Sequence, residues 1–260
     1  MLTDRRAFLA AAGALATGLT TQASTGERSS DRGNGPVKKV RAIAFDAFPI
    51  IDPTPVAKRV QSMFPSKGDA LLSAWRTRQF EYAWLRTLGG TYTDFWQTTR
   101  DALVFAAASV GLALSDTGCD ELMQTYRELK AWSDVRAGLE MLRQAGIRVA
   151  FLSNFTAGML DAAVENSGLQ GFFEAHLTTD RVRAFKPDPR AYSMGVKAFG
   201  LSRQEIVFCA AAGWDAAGAK WFGYRTFWLN RSNQPAEELG VKADAVGAGM
   251  QELLKFVLSG

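Results

Sequence analysis

The run VRAIAFDAFPIIDP, residues 40–53, constrains this chain more than any other stretch. Its apolar centre, residues 42–45, carries no turn residue and is short, the pattern of a strand buried on both faces. Such a strand delivers Asp46 to its carboxyl end, and a Pro-containing loop is expected at once behind it. In open α/β sheets that end is where ligands bind. An acid there is a nucleophile, a metal ligand or a cap for the next element, and the stretch alone leaves all three open.

The pattern then changes character twice. LLSAWRTRQFEYAWLRTL, residues 71–88, places Leu71, Leu72, Trp75, Phe80, Trp84 and Leu85 at helical recurrence, and residues 95–110 and 120–129 continue in that style. No strand is predicted among them. From residue 133 onward, helices over 135–145, 156–167, 188–199, 215–222 and 250–258 alternate with strands over 148–152, 175–178, 205–211 and 225–229. That alternation predicts an α/β fold with a Rossmann-like parallel sheet and right-handed crossovers. The core is expected over 37–52 and 133–260, with a helical insert over 53–132.

Composition narrows the function. The net charge is +4 with no dense Lys/Arg block, so nucleic acid is not an expected partner, and the weak positive sign favours anionic substrates. The two cysteines, Cys119 and Cys209, form no metal-like spacing. Cys209 lies in an apolar run and reads as a small buried hydrophobe. One histidine, His176, excludes a His-rich metal site and makes a Ser-His-Asp triad available only through that residue; a structural role is expected for it.

The first 23 residues, MLTDRRAFLAAAGALATGLTTQA, combine Arg5–Arg6, an apolar Ala-rich run to Leu19 and small residues suited to cleavage. The run is too short for a lasting membrane anchor, and its layout resembles a Tat-type signal peptide. Residues 24–36 are polar and Gly/Ser-rich, a linker. A periplasmic or secreted mature chain is expected. Tat export moves folded proteins, which suits a chain without a disulfide framework.

Four strand ends then offer polar groups: Asp46, the Ser153–Asn154 pair, Lys186 in KPDP, and Asp215. A carboxylate, a hydroxyl with an amide, an ammonium and a second carboxylate, converging on one sheet edge, form a workable set for covalent catalysis. Each has an ordinary alternative. Asp46 serves as a loop cap, Lys186 as a surface lysine, Arg76 as a helix-surface charge and Asp215 as a helix N-cap; Trp214, Phe80 and Tyr192 serve as packing.

FDAF at Asp46, WRTRQFEYAWLR at Arg76, FLSN at Ser153, KPDPRAY at Lys186 and WDAAGAKWFGYRTFWLNR at Asp215 together resemble the haloacid dehalogenase superfamily, and within it the type II L-2-haloacid dehalogenases. The resemblance spans residues 40–258. It implies a helical cap on the Rossmann-like core and hydrolysis of small 2-haloalkanoic acids to 2-hydroxy acids, with no cofactor and no metal. Asp46 would be the nucleophile that forms an aspartyl ester. Lys186 would hold Asp46 and the substrate electrostatically, and Asp215 would position Lys186 and water. Ser153 and Asn154 would orient the substrate, Arg76 would receive the halide, and Tyr192 matches a tyrosine beside the lysine. Phe48, Phe80 and Trp214 would form an apolar wall. A homodimer is left open by the same resemblance.

Phosphatases of the superfamily carry a second Asp two residues after the nucleophile; here that residue is Phe48. Displacing a halide needs no proton donor, so Phe48 favours the dehalogenase over a phosphatase-like hydrolase. Two departures from the dehalogenase pattern stand out. The expected Gly-Thr pair is Pro49–Ile50, and the expected Ser-Ser-Asn is Ala210–Ala211–Ala212. The lost polar groups would help hold the hydrolytic water, so weak ester hydrolysis is expected. A non-catalytic small-carboxylate-binding relative is the alternative.

Overall fold

The computed structural model describes residues 39–259. The signal and linker expectations lie outside the described residues. Six strands, β1 (Ala42–Phe45), β2 (Arg148–Ser153), β3 (His176–Thr178), β4 (Ile206–Ala210), β5 (Arg225–Leu229) and β6 (Ala245–Gly247), pair in parallel in the order β3-β2-β1-β4-β5-β6. The chain winds outward from β1 in one direction and then from β4 in the other. The crevice between β1 and β4 is therefore the topological switch point.

The pleat sorts side chains into two layers. Ile43, Phe45, Val149, Phe151, Val207 and Cys209 face one hydrophobic core; Ala42, Ala44, Ala150, Leu152, Ile206 and Phe208 face the other. The first core is covered by α6 (Val135–Gln144), α7 (Ala157–Asn166) and α10 (Met250–Leu258), the second by α8 (Pro189–Phe199) and α9 (Gly213–Phe222). Burial on both sides explains why β1 reads as an unbroken apolar run.

Between β1 and β2 the chain forms α1 (Ala47–Ile50), α2 (Thr54–Met63), α3 (Gly68–Leu88), α4 (Phe95–Ser109) and α5 (Asp116–Thr125). The two connections that enter and leave this helical segment lie side by side. Ile51 bridges Ala131, Asp52 N–H donates to Lys130 O at 2.8 Å, and Trp132 N–H donates to Ile50 O at 3.0 Å. On α3, Leu71, Trp75, Gln79 and Ala83 are buried at four-residue spacing. Leu85, expected on the apolar face, is 60% exposed; the buried stripe passes through Gln79 instead, because that amide has a partner inside, Thr99 Oγ1 at 2.7 Å.

Several local expectations are corrected. The residues after Asp46 form the one-turn helix α1 rather than a loop, with Asp46 as its N-cap. Helix α9 begins at Gly213, so Asp215 lies inside its first turn and the N-cap is Ala212, which has no side-chain acceptor. Strand β6 was not expected; its Ala-Val-Gly is too short to show a period.

Helix α9 approaches α8 closely through Gly218. A Cβ there would stand 2.4 Å from Tyr192 Oη and 2.8 Å from Pro187 Cβ. Gly218→Ala is therefore expected to destabilise the fold by about 1–3 kcal/mol, the usual cost of overpacking, even though Ala favours helix. A urea midpoint at or above that of the parent chain would contradict this contact.

Candidate active site

Asp46 sits where β1 ends, and its backbone N–H donates to Cys209 O at 3.0 Å, fixing it against β4. Its Oδ2 accepts the Phe48 N–H at 3.4 Å, closing the N-terminus of α1. Its Oδ1 accepts from Lys186 Nζ at 2.7 Å and lies 3.4 Å from Ser153 Oγ. Asp46 is thus the cap of α1, and the same carboxylate is held between Lys186 and Ser153.

Lys186 is no surface lysine: its side chain is 1% exposed. Its three donors are all spent, on Asp46 Oδ1, on Asp215 Oδ2 at 2.6 Å and on Leu152 O at 3.4 Å. Burial works against its charge, but the two carboxylates outweigh burial and hold its pKa above the ordinary lysine range. Asp215 accepts from Lys186 and, at Oδ1, from Tyr192 Oη at 2.8 Å. Burial pushes its carboxyl up to about 6; Lys186 offsets part of that push and the negative charge of Asp46 adds to it.

The backbone carrying Lys186 is braced from two sides. Its N–H donates to Asn154 Oδ1 at 3.1 Å, which leaves the Asn154 amide hydrogens for another partner. The preceding residue, Phe185, donates its N–H to Thr87 Oγ1 at 3.0 Å, and its ring packs 4.7 Å from that of Tyr92. The helical segment therefore touches the lysine loop directly.

On α3, Arg76, Phe80 and Trp84 recur at four-residue spacing and share a face. The Arg76 guanidinium lies 4.9 Å from the Phe80 ring centre and 5.2 Å from that of Phe48, and donates to Gln79 Oε1 at 3.3 Å. Phe80 and Trp84 both meet Trp214, the second residue of α9, edge to face. A cation framed by aromatic rings, with donors left over, suits a small anion.

A cavity of about 590 Å³ joins these groups. Asp46, Phe48, Arg76, Phe80, Ser153, Asn154, Lys186, Trp214 and Asp215 all line it. Tyr192 does not: it is fully buried behind Asp215 and reaches the centre only through that carboxylate. His176 lies on β3, 2.9 Å from Asp161, and is not among the lining residues. Among the described residues no group of three or more His, Cys, Asp or Glu side chains comes together as a metal cradle.

Several groups at the site are not marked in the sequence. Gln79, which does not line the cavity itself but steadies Arg76 at 3.3 Å, reads there as one more polar helix position. Trp132 donates its Nε1–H to Phe48 O at 3.0 Å from across the insert boundary. The loop after β5 brings Asn230, Arg231, Gln234 and Glu237 to the cavity. Only the tertiary fold brings these positions to the centre, and no local pattern marks them.

Residues 32–223 match the family described as haloacid dehalogenase-like hydrolase. The chain is 40% identical over 222 residues to haloacetate dehalogenase H-2 of Moraxella sp. (strain B), covering 85% of this chain and 99% of that protein. It is 36% identical to (S)-2-haloacid dehalogenase 2 of Pseudomonas sp. (strain CBS-3), covering 84% and 95%. Among solved structures, the L-2-haloacid dehalogenase from Xanthobacter autotrophicus with chloropropionic acid covalently bound superposes with a TM-score of 0.77 at 30% identity, covering 84% of this chain and 98% of that one.

Proposed function

The chain belongs to the haloacid dehalogenase-like hydrolases, and from that premise we propose that it removes halide hydrolytically from small (S)-2-haloalkanoic acids through an ester on Asp46. The observation that carries this reading is the Asp46 carboxylate, held through Oδ1 by a buried ammonium at 2.7 Å in a cavity that Arg76, set among aromatic rings, also lines.

Oδ1 is committed to Lys186 and Ser153, so Oδ2, with one long contact to Phe48 N–H, is the attacking oxygen. It displaces halide from Cα with inversion, and Arg76 takes up the leaving anion. Ser153 and the Asn154 amide orient the substrate carboxylate, and Phe48, Phe80 and Trp214 enclose its carbon chain. Oδ1 has become the carbonyl oxygen of the ester. Water then adds to the Asp46 carboxyl carbon, the charge growing on Oδ1 meets the Lys186 ammonium, and the (R)-2-hydroxy acid leaves. Asp215 accepts the proton of that water and returns it to the departing oxygen as the ester C–O bond breaks, with Tyr192 holding the carboxylate in place. Core residues 37–52 and 133–260 supply the nucleophile and lysine; the helical cap, 53–132, supplies Arg76 and Phe80. A homodimer is the assembly this reading takes, checked by light scattering.

Asp215 must be ionised to accept a proton. Asp215 acts only after halide has left, the step that closes kcat/KM, so its ionisation is read in kcat. Its pKa is about 6 in the free enzyme; esterification removes the Asp46 charge, one of the causes that hold Asp215 up, so an acid limb of kcat is expected below pH 6. A limb at or above pH 6 would show that Asp46 and Asp215 are not coupled in this way.

The test is halide release from each 2-chloropropionate enantiomer and from bromoacetate in the presence of chelator. Sustained release from the (S) enantiomer alone supports the reading. A burst of one halide per chain means that the ester forms and water is poorly held, the outcome Ala210–Ala212 favour. Binding without any release supports the second reading, a small-carboxylate-binding relative, which the same three alanines keep open; a phosphatase-like hydrolase would instead need metal. Export to the periplasm or medium through a Tat-type signal is proposed from Arg5–Arg6 and the apolar run behind them. Replacing both arginines by lysine in the full chain should retain it in the cytoplasm.

A further inference from the structure

The cavity is much larger than the smallest haloacids require. 2-Chloropropionate has six non-hydrogen atoms; at the ~30 Å³ that each water takes in the liquid, six such atoms fill at most about 180 Å³, under a third of the about 590 Å³ present. The remaining space extends past the first turn of α9 to the loop after β5. Two features open it. Ala211 and Ala212 contribute only methyl groups to the wall. Gly213 lets the Glu237 side chain lie against the helix, since a Cβ at 213 would stand 2.7 Å from Glu237 Cγ.

Glu237 gives that far end its charge. Among the described residues its carboxylate makes no ion pair. Arg231, which also lines the cavity, pairs its charge with Asp134 at 2.9 and 3.1 Å and donates to Pro49 O at 3.1 Å, all through Nη1 and Nη2, while its buried Nε–H has no partner among the described residues. The near end carries Arg76 for an anion and the far end an acid for a cation.

Resting on the dehalogenase reading above, we propose that the preferred substrates are long-chain 2-haloacids whose tail ends in a cation, with the substrate carboxylate on Ser153 and the Asn154 amide, the departing halide beside Arg76 and the tail beside Glu237. A second carboxylate on the tail is disfavoured by the same acid.

The experiment measures kcat/KM for halide release by the full chain from bromoacetate, 2-bromobutanoate and 2-bromohexanoate. It then compares six-carbon 2-bromoacids whose last carbon bears hydrogen only, a carboxylate or a trimethylammonium group, which cannot cyclise onto the bromide. The expected result is a rise of up to about fourfold per added methylene and about tenfold preference for the trimethylammonium over the carboxylate tail. Glu237→Gln, at an exposed position, should bring that ratio towards one, and Ala212→Leu should lower the ratio of long to short substrates. A flat or falling chain-length series alongside turnover of bromoacetate overturns the proposal and leaves the dehalogenase reading standing. So does a tail preference unchanged in Glu237→Gln. No halide from any acid, bromoacetate included, overturns the dehalogenase reading and this proposal with it.

Discussion

Asp46→Asn is expected to abolish halide release, by at least ~10⁴-fold in kcat, because it removes the attacking oxygen rather than a group that assists it. The substitution keeps the volume, and the amide oxygen can still accept from Lys186 where Oδ1 now does at 2.7 Å. Its amide nitrogen takes the place of Oδ2, the oxygen left for attack. The fold has reason to survive, since Lys186 keeps Asp215 at 2.6 Å and Leu152 O at 3.4 Å. The variant thus separates binding from turnover: 2-chloropropionate should still protect it against urea while releasing no chloride. A companion measurement on the parent chain distinguishes the ester from direct attack by water on Cα. In a single turnover in ¹⁸O water, label should enter the Asp46 carboxylate and the product hydroxyl should carry none. Label in the product hydroxyl would mean that Asp46 only activates water. Unimpaired release by the Asn variant would remove Asp46 from the chemistry altogether.

How much of this was legible in the sequence follows from where each signal lives. The parallel sheet was legible because burial on both faces forces unbroken apolar runs at residues 42–45 and 206–210, and because helix and strand periods differ. The convergence of Asp46, Ser153, Asn154, Lys186 and Asp215 was legible because each follows a strand, and parallel strands deliver their carboxyl ends to one edge. Arg76 was legible only through the wording around it, since an arginine on a helix has no period of its own. What stayed hidden depends on tertiary approach. Gln79 is buried because Thr99 happens to face it. Thr87 and Tyr92 brace Phe185 from nearly one hundred residues away. Asp215 looked like a cap because it stands near the start of a helix, yet its oxygens are taken by Lys186 and Tyr192. Glu237 reaches the cavity because residue 213 lacks a Cβ, a steric fact that spacing does not encode.

Lys186→Met is expected to cost both activity and stability, and the pH dependence of the stability loss identifies its cause. One ammonium now neutralises two carboxylates, at 2.7 and 2.6 Å, in a place where the lysine is 1% exposed and Asp215 2%. Methionine matches the length of the stem and leaves the carboxylates facing each other without a cation. Breaking a buried pair from one side costs about 3–5 kcal/mol. Activity should fall by roughly 10³-fold, the scale of losing one donor aimed at a developing oxyanion. Asp215 already has its pKa raised from 3.8 to about 6, and Lys186 is a cause that lowers it; in the variant it must rise further. An acid whose folded pKa exceeds its unfolded value is held more tightly with its proton on in the native state. It therefore adds stability below the unfolded value, and that stability is lost as the pH climbs through the folded one. In the parent chain this loss falls between about pH 4 and pH 6; in the variant it extends above pH 6. Urea unfolding should then show a larger deficit for Lys186→Met at pH 8 than at pH 5, the variant recovering part of its stability in acid. Equal deficits at the two pH values would mean that the lysine stem, through its packing, and not the ammonium between Asp46 and Asp215, is what the fold depends on.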